Sequence, residues 1–352
     1  MFISFWVCWG TKLADDEGSL ERRLERAMKI VESRPSGKLP VRQVKVNVDD
    51  IITKGKAFGT RQPYLFIGWA MRDAMQFAGV NGYLATIPEL IGVIASYGLE
   101  HDIFRGKDYF IGHTERIIGI DKKGLFYKKG DPVLAIVNGG GNIPSDVLDD
   151  VTKFMIKNYD GDKDRIKDFR VFGVASFSHN EFVDILKGEL SDGDIEMHSY
   201  EDIERGVSNL PHRFGVVMPY SLPFKHPYGD RTIFNKREFL QHPLVIASNG
   251  GHQNLEEYFE RIKDYGNNKT HVIEPLVAPI AKAEFINKYI DSQRSYFNTD
   301  EPIGSLMWIC RSGIFINYGG LADAMDSYDV KRVPCFIAVN PDKEKNDGAV
   351  RG

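Results

Sequence analysis

PVLAIVNGGG at residues 132–141 and PLVIASNGGH at residues 243–252 follow one template. In each, a proline stands six residues before Asn-Gly-Gly, the residues between are nearly all apolar, and an amphipathic helical pattern follows. This reads as a buried strand, a glycine turn and a helix, built twice. Backbone N–H groups at such a turn, and at the first turn of the next helix, form a natural anion site. Asn138, Gly139, Gly140 and Gly141 in one copy, and Asn249, Gly250 and Gly251 in the other, are therefore the first ligand-binding candidates.

Around these units the chain alternates strand, turn and helix. Strand 133–137 leads to a helix over 144–158. Strand 169–175 turns through Ser176-Phe177-Ser178 into a helix over 179–187, with Ser178 and Glu181 as its capping box. Strands at 195–198 and 214–218 follow, then a proline-rich lid at 219–235 carrying Lys225 and Arg231. After the second unit, strands are expected at 270–274, 308–317 and 333–339. Such alternation predicts an α/β fold: a mainly parallel, doubly wound Rossmann-like sheet with helices on both faces. It would occupy residues 131–352.

Residues 1–130 read as an N-terminal α+β region that packs against it or forms a cap. An amphipathic helix is expected over 19–33, a strand through Val44, Val46 and Val48 closed by Asp49 and Asp50, and helices over 63–78 and 87–97. Thr86-Ile87-Pro88-Glu89 is a capping box with proline in the first turn. A β-hairpin follows over 107–127, turning at Asp121–Gly124, with His113 among its polar neighbours as a surface or cross-strand residue.

Composition narrows the partners. A net charge of −4 and hydrophobic residues at 42% give no basic footprint for nucleic acid. No apolar run is long enough to cross a bilayer, and FISFWVCW at 2–9 lacks the flanks of a signal peptide, so no membrane partner is expected. Cys8, Cys310 and Cys335 are too scattered for a disulfide framework and read as reduced thiols of a cytoplasmic protein.

Chemistry is sought at the carboxyl ends of the strands. Gly139 and Gly141 begin a G-x-G-x-x-G fingerprint, but Pro144 replaces its third glycine and Ser176 stands where an acid should hold a ribose, which disfavours a nicotinamide. No P-loop, G-x-S-x-G elbow or H-E-x-x-H motif is present. His179 and His252 occupy matching turn–helix junctions, where the helix N-terminus favours neutral imidazole suited to acid/base work, and Glu181 stands beside His179. A metal held by His179, His252 and Glu274 would need assembly across strands, so neither metal nor cofactor is named. The expected function is an enzyme, a transferase or hydrolase, acting on a small anionic metabolite, either nucleotide, phosphorylated or carboxylated. The alternatives are a non-catalytic ligand-binding or sensory protein, or an assembly subunit using the aromatic N-terminus and helices 63–97, with a second copy of the chain as a candidate partner.

Overall fold

The computed structural model describes residues 48–59, 67–105, 107, 109–145, 175–207, 209–225, 233–263, 270–273, 302–310, 313–316 and 335–343. The described helices are α1 (Val48–Lys54), α2 (Ile67–Ala78), α3 (Ile87–Tyr97), α4 (His179–Lys187), α5 (Tyr200–Arg205), α6 (Leu222–Lys225), α7 (Lys236–Leu240), α8 (Pro243–Asn249) and α9 (Leu255–Ile262). The strands are β1 (Gly55–Gly59), β2 (Tyr83–Leu84), β3 (Tyr109–Ile120), β4 (Pro132–Asn138), β5 (Ala175–Ser176), β6 (Glu196–Ser199), β7 (Phe214–Pro219), β8 (Ile233–Phe234), β9 (Thr270–Ile273), β10 (Ile303–Cys310), β11 (Gly313–Ile316) and β12 (Cys335–Val339).

All twelve strands join one sheet, with the order β6-β7-β4-β3-β10-β11-β9-β8; β12 branches from β3 and carries β1 and β2, while β5 pairs β10. Among the described residues β6/β7, β9/β11 and β3/β12 pair in parallel, and the other eight pairings are antiparallel. The sheet is thus mixed and mostly antiparallel, which overturns the parallel, doubly wound Rossmann-like expectation. The misreading has a physical cause. Continuous apolar strands signal burial on both faces, and that burial does not require parallel pairing.

Both faces are covered. Leu134, Ile136, Val216, Met218, Met307 and Ile309 point into one core, packed by α3, α8 and α9. Val133, Ala135, Val137, Val217, Leu306 and Trp308 point into the other, packed by α2 and α4. The period-two alternation of each strand thus feeds two apolar layers rather than one layer and solvent.

Three local expectations change. The second template copy contains no strand: Pro243–Asn249 is α8, with Pro243 in its first turn and all seven residues buried. Gly250 and Gly251 close it as a Schellman-type stop, their N–H groups donating to Ala247 O at 3.2 Å and Ile246 O at 2.9 Å. The hairpin is formed by β3 with β4, Ile120 pairing Pro132, so residues 125–128 lie in its connection rather than in a second strand. Val48, Asp49 and Asp50 open α1 instead of ending a strand. The expected helix at 19–33 lies outside the described residues, as does the helix at 144–158 beyond Ser145.

Candidate functional site

The first glycine turn sits where β4 ends. Gly139, Gly140 and Gly141 all adopt positive φ, at 83°, 61° and 113°. The reason lies in what packs against them. A Cβ on Gly140 would lie 2.0 Å from His113 Nε2, and one on Gly141 would lie 2.3 Å from Asp192 Oδ2. The turn is therefore pressed against buried polar side chains.

Those side chains form a continuous buried seam. Glu115 accepts hydrogen bonds from Ile143 N–H at 2.7 Å, from Asn142 N–H at 3.0 Å and from Asn142 Nδ2 at 2.7 Å. Two amides just after the glycine turn thus serve the protein's own carboxylate. Burial pushes the Glu115 carboxyl up to about 7, opposed by these three hydrogen bonds and helped by the nearby Asp192 charge. Asp192 accepts from Arg213 Nη2 at 2.5 Å, and both side chains are buried. His113, expected as a surface or cross-strand residue, lies on β3 and is 5% exposed. Burial, with the His212 and Arg213 charges beside it, lowers its imidazole to about 3, so it is neutral at pH 7.

The seam continues toward α3. His212 Nδ1 lies 2.6 Å from Glu89 Oε1, while Glu89 Oε2 accepts the Thr86 N–H at 2.8 Å. The capping glutamate is therefore also half of a buried histidine–carboxylate pair. The Tyr83 ring lies tilted against His212, centroids 4.8 Å apart, and burial first, then the Glu89 and Asp50 charges, raises its phenol. Asn138 Oδ1 accepts from the Thr114 hydroxyl at 2.8 Å, and that hydroxyl accepts from Ile87 N–H at 2.9 Å. Asn138 Nδ2 is buried without a hydrogen-bond partner among the described residues.

The remaining expected site residues are not gathered around this seam. Ser178 and Glu181 form the anticipated capping box, with Glu181 Oε2 accepting the Ser178 N–H at 2.7 Å. The Ser178 backbone and hydroxyl hydrogen bonds hold the Glu181 carboxyl below its usual range. His179 opens α4, which packs into the core containing Phe182, Ile185 and Leu186. His252 is exposed between α8 and α9, which pack into the opposite core. The two histidines thus belong to elements on opposite faces of the sheet. Asn249 Nδ2 donates to Gly251 O at 2.9 Å and to Gln253 O at 2.7 Å, tying down its own turn. That turn is a helix C-terminus, the partially negative end, and offers no anion site. Ser176 pairs with Ile303 at the short β5 edge. Lys225 ends α6 with its side chain outside the described residues, and Arg231 and Glu274 lie outside them altogether.

His113, Glu115, Arg213, Asp192 and His212 were missed in the sequence, though a signal existed. HTER at 113–116 is flanked by YFI and IIGI, runs that leave neither face of the strand for solvent. A polar quartet inside such a strand has to be buried and paired.

Among the described residues no group of three or more His, Cys, Asp or Glu side chains could hold a metal, and no helix is long and apolar enough to cross a membrane. No family model and no curated protein matches the chain. A solved structure described as "Accommodation of massive sequence variation in Nanoarchaeota by the C-type lectin fold" is similar to it at 16% identity and a TM-score of 0.46, the match covering 82% of this chain and 98% of that one.

Proposed function

We propose that the chain is a non-catalytic binding protein. The observation that carries this reading is the separation of His179 and His252 onto elements packed against opposite faces of the sheet. An acid/base pair must reach one substrate, and hydrogen-bond reach is about 3 Å. The engagement of the Asn142 and Ile143 amides by Glu115 supports the same reading, because two donors just after the first glycine turn already serve a carboxylate of the protein itself. Glu181 is likewise engaged at its cap. A cytoplasmic location accompanies the proposal, on the three scattered cysteines.

A thermal-shift panel of nucleotides, sugar phosphates and divalent cations tests it, run on the wild type and on a His179→Ala/His252→Ala variant. A ligand at 100 times its dissociation constant adds about 2.7 kcal/mol. The expected result is equal stabilisation of both proteins. Stabilisation lost in the variant returns the histidines to a common site and restores the enzyme reading.

A further inference from the structure

The connection between β3 and β4, DKKGLFYKKGD at 121–131, is a built surface feature. The Asp121 carboxylate is fully buried and accepts the N–H groups of Gly124 at 2.7 Å, Leu125 at 3.0 Å, Phe126 at 3.0 Å and Tyr127 at 3.4 Å. Phe126 and Tyr127 pack on the core beneath, and the Tyr127 hydroxyl lies 2.8 Å from Glu201 Oε2 and 3.1 Å from Val217 O. Held this way, the loop leaves Lys122, Lys123, Lys128 and Lys129 exposed, with no ion-pair partner among the described residues. Between the two lysine pairs Leu125 is 43% exposed, one of three large apolar side chains shown to solvent in the described residues.

We propose that this loop docks the protein on an anionic lipid bilayer, Leu125 entering the headgroup layer and the four lysines resting among the lipid anions. Three features select a bilayer over other anionic partners. All four cations are lysines, compact point charges without the planar fork that reads a defined carboxylate geometry, and lysine is depleted at protein–protein interfaces. The chain is net −4 while its loop is net +2, from four lysines and two aspartates, so the loop is a local positive knob on an acidic chain. A nucleic acid asks for a basic stripe, whereas a bilayer needs one point of contact. The exposed leucine serves a headgroup layer and would serve a phosphate backbone poorly. Peripheral docking requires no membrane-spanning segment, so the absence of a long apolar helix among the described residues does not oppose it.

Co-sedimentation of the full chain with vesicles tests this, using phosphatidylcholine alone and phosphatidylcholine containing about one third phosphatidylserine. The protein should pellet with the anionic vesicles at about 0.1 M salt, stay in solution with the neutral ones, and be released at about 1 M salt. Lys122→Ala/Lys123→Ala should weaken binding roughly 30-fold, at about a factor of ten per two-thirds of that charge loss on a logarithmic scale, and Leu125→Ala should weaken it several-fold. These side chains are exposed, so far-UV circular dichroism should match the wild type. Absence of sedimentation with phosphatidylserine vesicles overturns the proposal, as does binding unchanged by the lysine substitutions. Retention on immobilised polyglutamate or on an oligonucleotide, without vesicle binding, would assign the loop to an acidic protein or a nucleic acid instead.

Discussion

The Ile143 N–H donates to the Glu115 carboxylate at 2.7 Å, joining the start of the segment after the glycine turn to the middle of β3. Through this bond an amide just beyond the most suggestive ligand-binding stretch in the sequence is taken by the protein itself. Glu115, with its near-neutral pKa, stands two residues from His113 on the same strand, and the pKa of His113 is displaced the other way.

The two groups should give opposing pH dependences. Glu115 rises from 4.5 to about 7 on folding, so its contribution is fully present below pH 4.5 and is lost as pH climbs through 7. His113 falls from 6.5 to about 3, so its contribution is present above pH 6.5 and is lost as pH drops through 3. Between pH 4.5 and 6.5 the slopes, each about 1.4 kcal/mol per pH unit, nearly cancel. Relative to the wild type, Glu115→Gln should therefore gain stability with rising pH over this window and His113→Gln should lose it. Urea titrations at the two ends read the effect, and parallel curves for all three proteins would refute it.

Gly140 and Gly79 share a left-handed backbone, φ 61° and 68°, but differ in surroundings. A methyl on Gly79 meets nothing within 4 Å, whereas one on Gly140 collides with the His113 ring. Gly79→Ala should cost about 1 kcal/mol, the backbone penalty alone. Gly140→Ala should cost about 3 kcal/mol or more, because overpacking adds to that penalty. Equal costs in denaturant unfolding would show that the ring yields freely.

His212 and Glu89 are both buried and 2.6 Å apart. Removing one leaves the other without its partner, which typically costs about 3 kcal/mol or more when the pair is charged. A double-mutant cycle of Glu89→Ala and His212→Ala should return a coupling above about 1 kcal/mol. Additive losses would mean that the contact contributes nothing of its own.

Asp121 holds its loop through four amide hydrogen bonds, and these together outweigh burial to keep its carboxyl below the usual value. Asp121→Ala should loosen the segment and leave four amides without their acceptor. Trypsin, which cleaves after lysine, should then cut at Lys122, Lys123, Lys128 or Lys129 at least tenfold faster than in the wild type, by a local opening about 1.4 kcal/mol easier. An unchanged cleavage rate would place the loop's rigidity elsewhere.

Much of the local structure was legible because its signals are local. Thr86, Pro88, Glu89 and Gly98 set the ends of α3, and Ser178 and Glu181 set the start of α4. Their hydrogen bonds span three or four residues, so spacing alone reveals them. The seam was not legible in that way. Glu115 meets Asn142 and Ile143 across 27 and 28 residues, and His212 meets Glu89 across 123.

The paired template divides the two kinds of information. By itself the sequence determined that 133–137 and 244–248 are buried apolar segments closed by glycine, and both are. It did not determine their conformation, since a run buried on every side has no polar face from which a period of 2 or 3.6 could be read. Tertiary structure decided that. Pro132–Asn138 lies between β3 and β7, whose backbones complete its hydrogen bonds. Pro243–Asn249 packs among helices, where its own i to i−4 bonds must satisfy its backbone, as the Ile246 N–H does with His242 O at 3.1 Å.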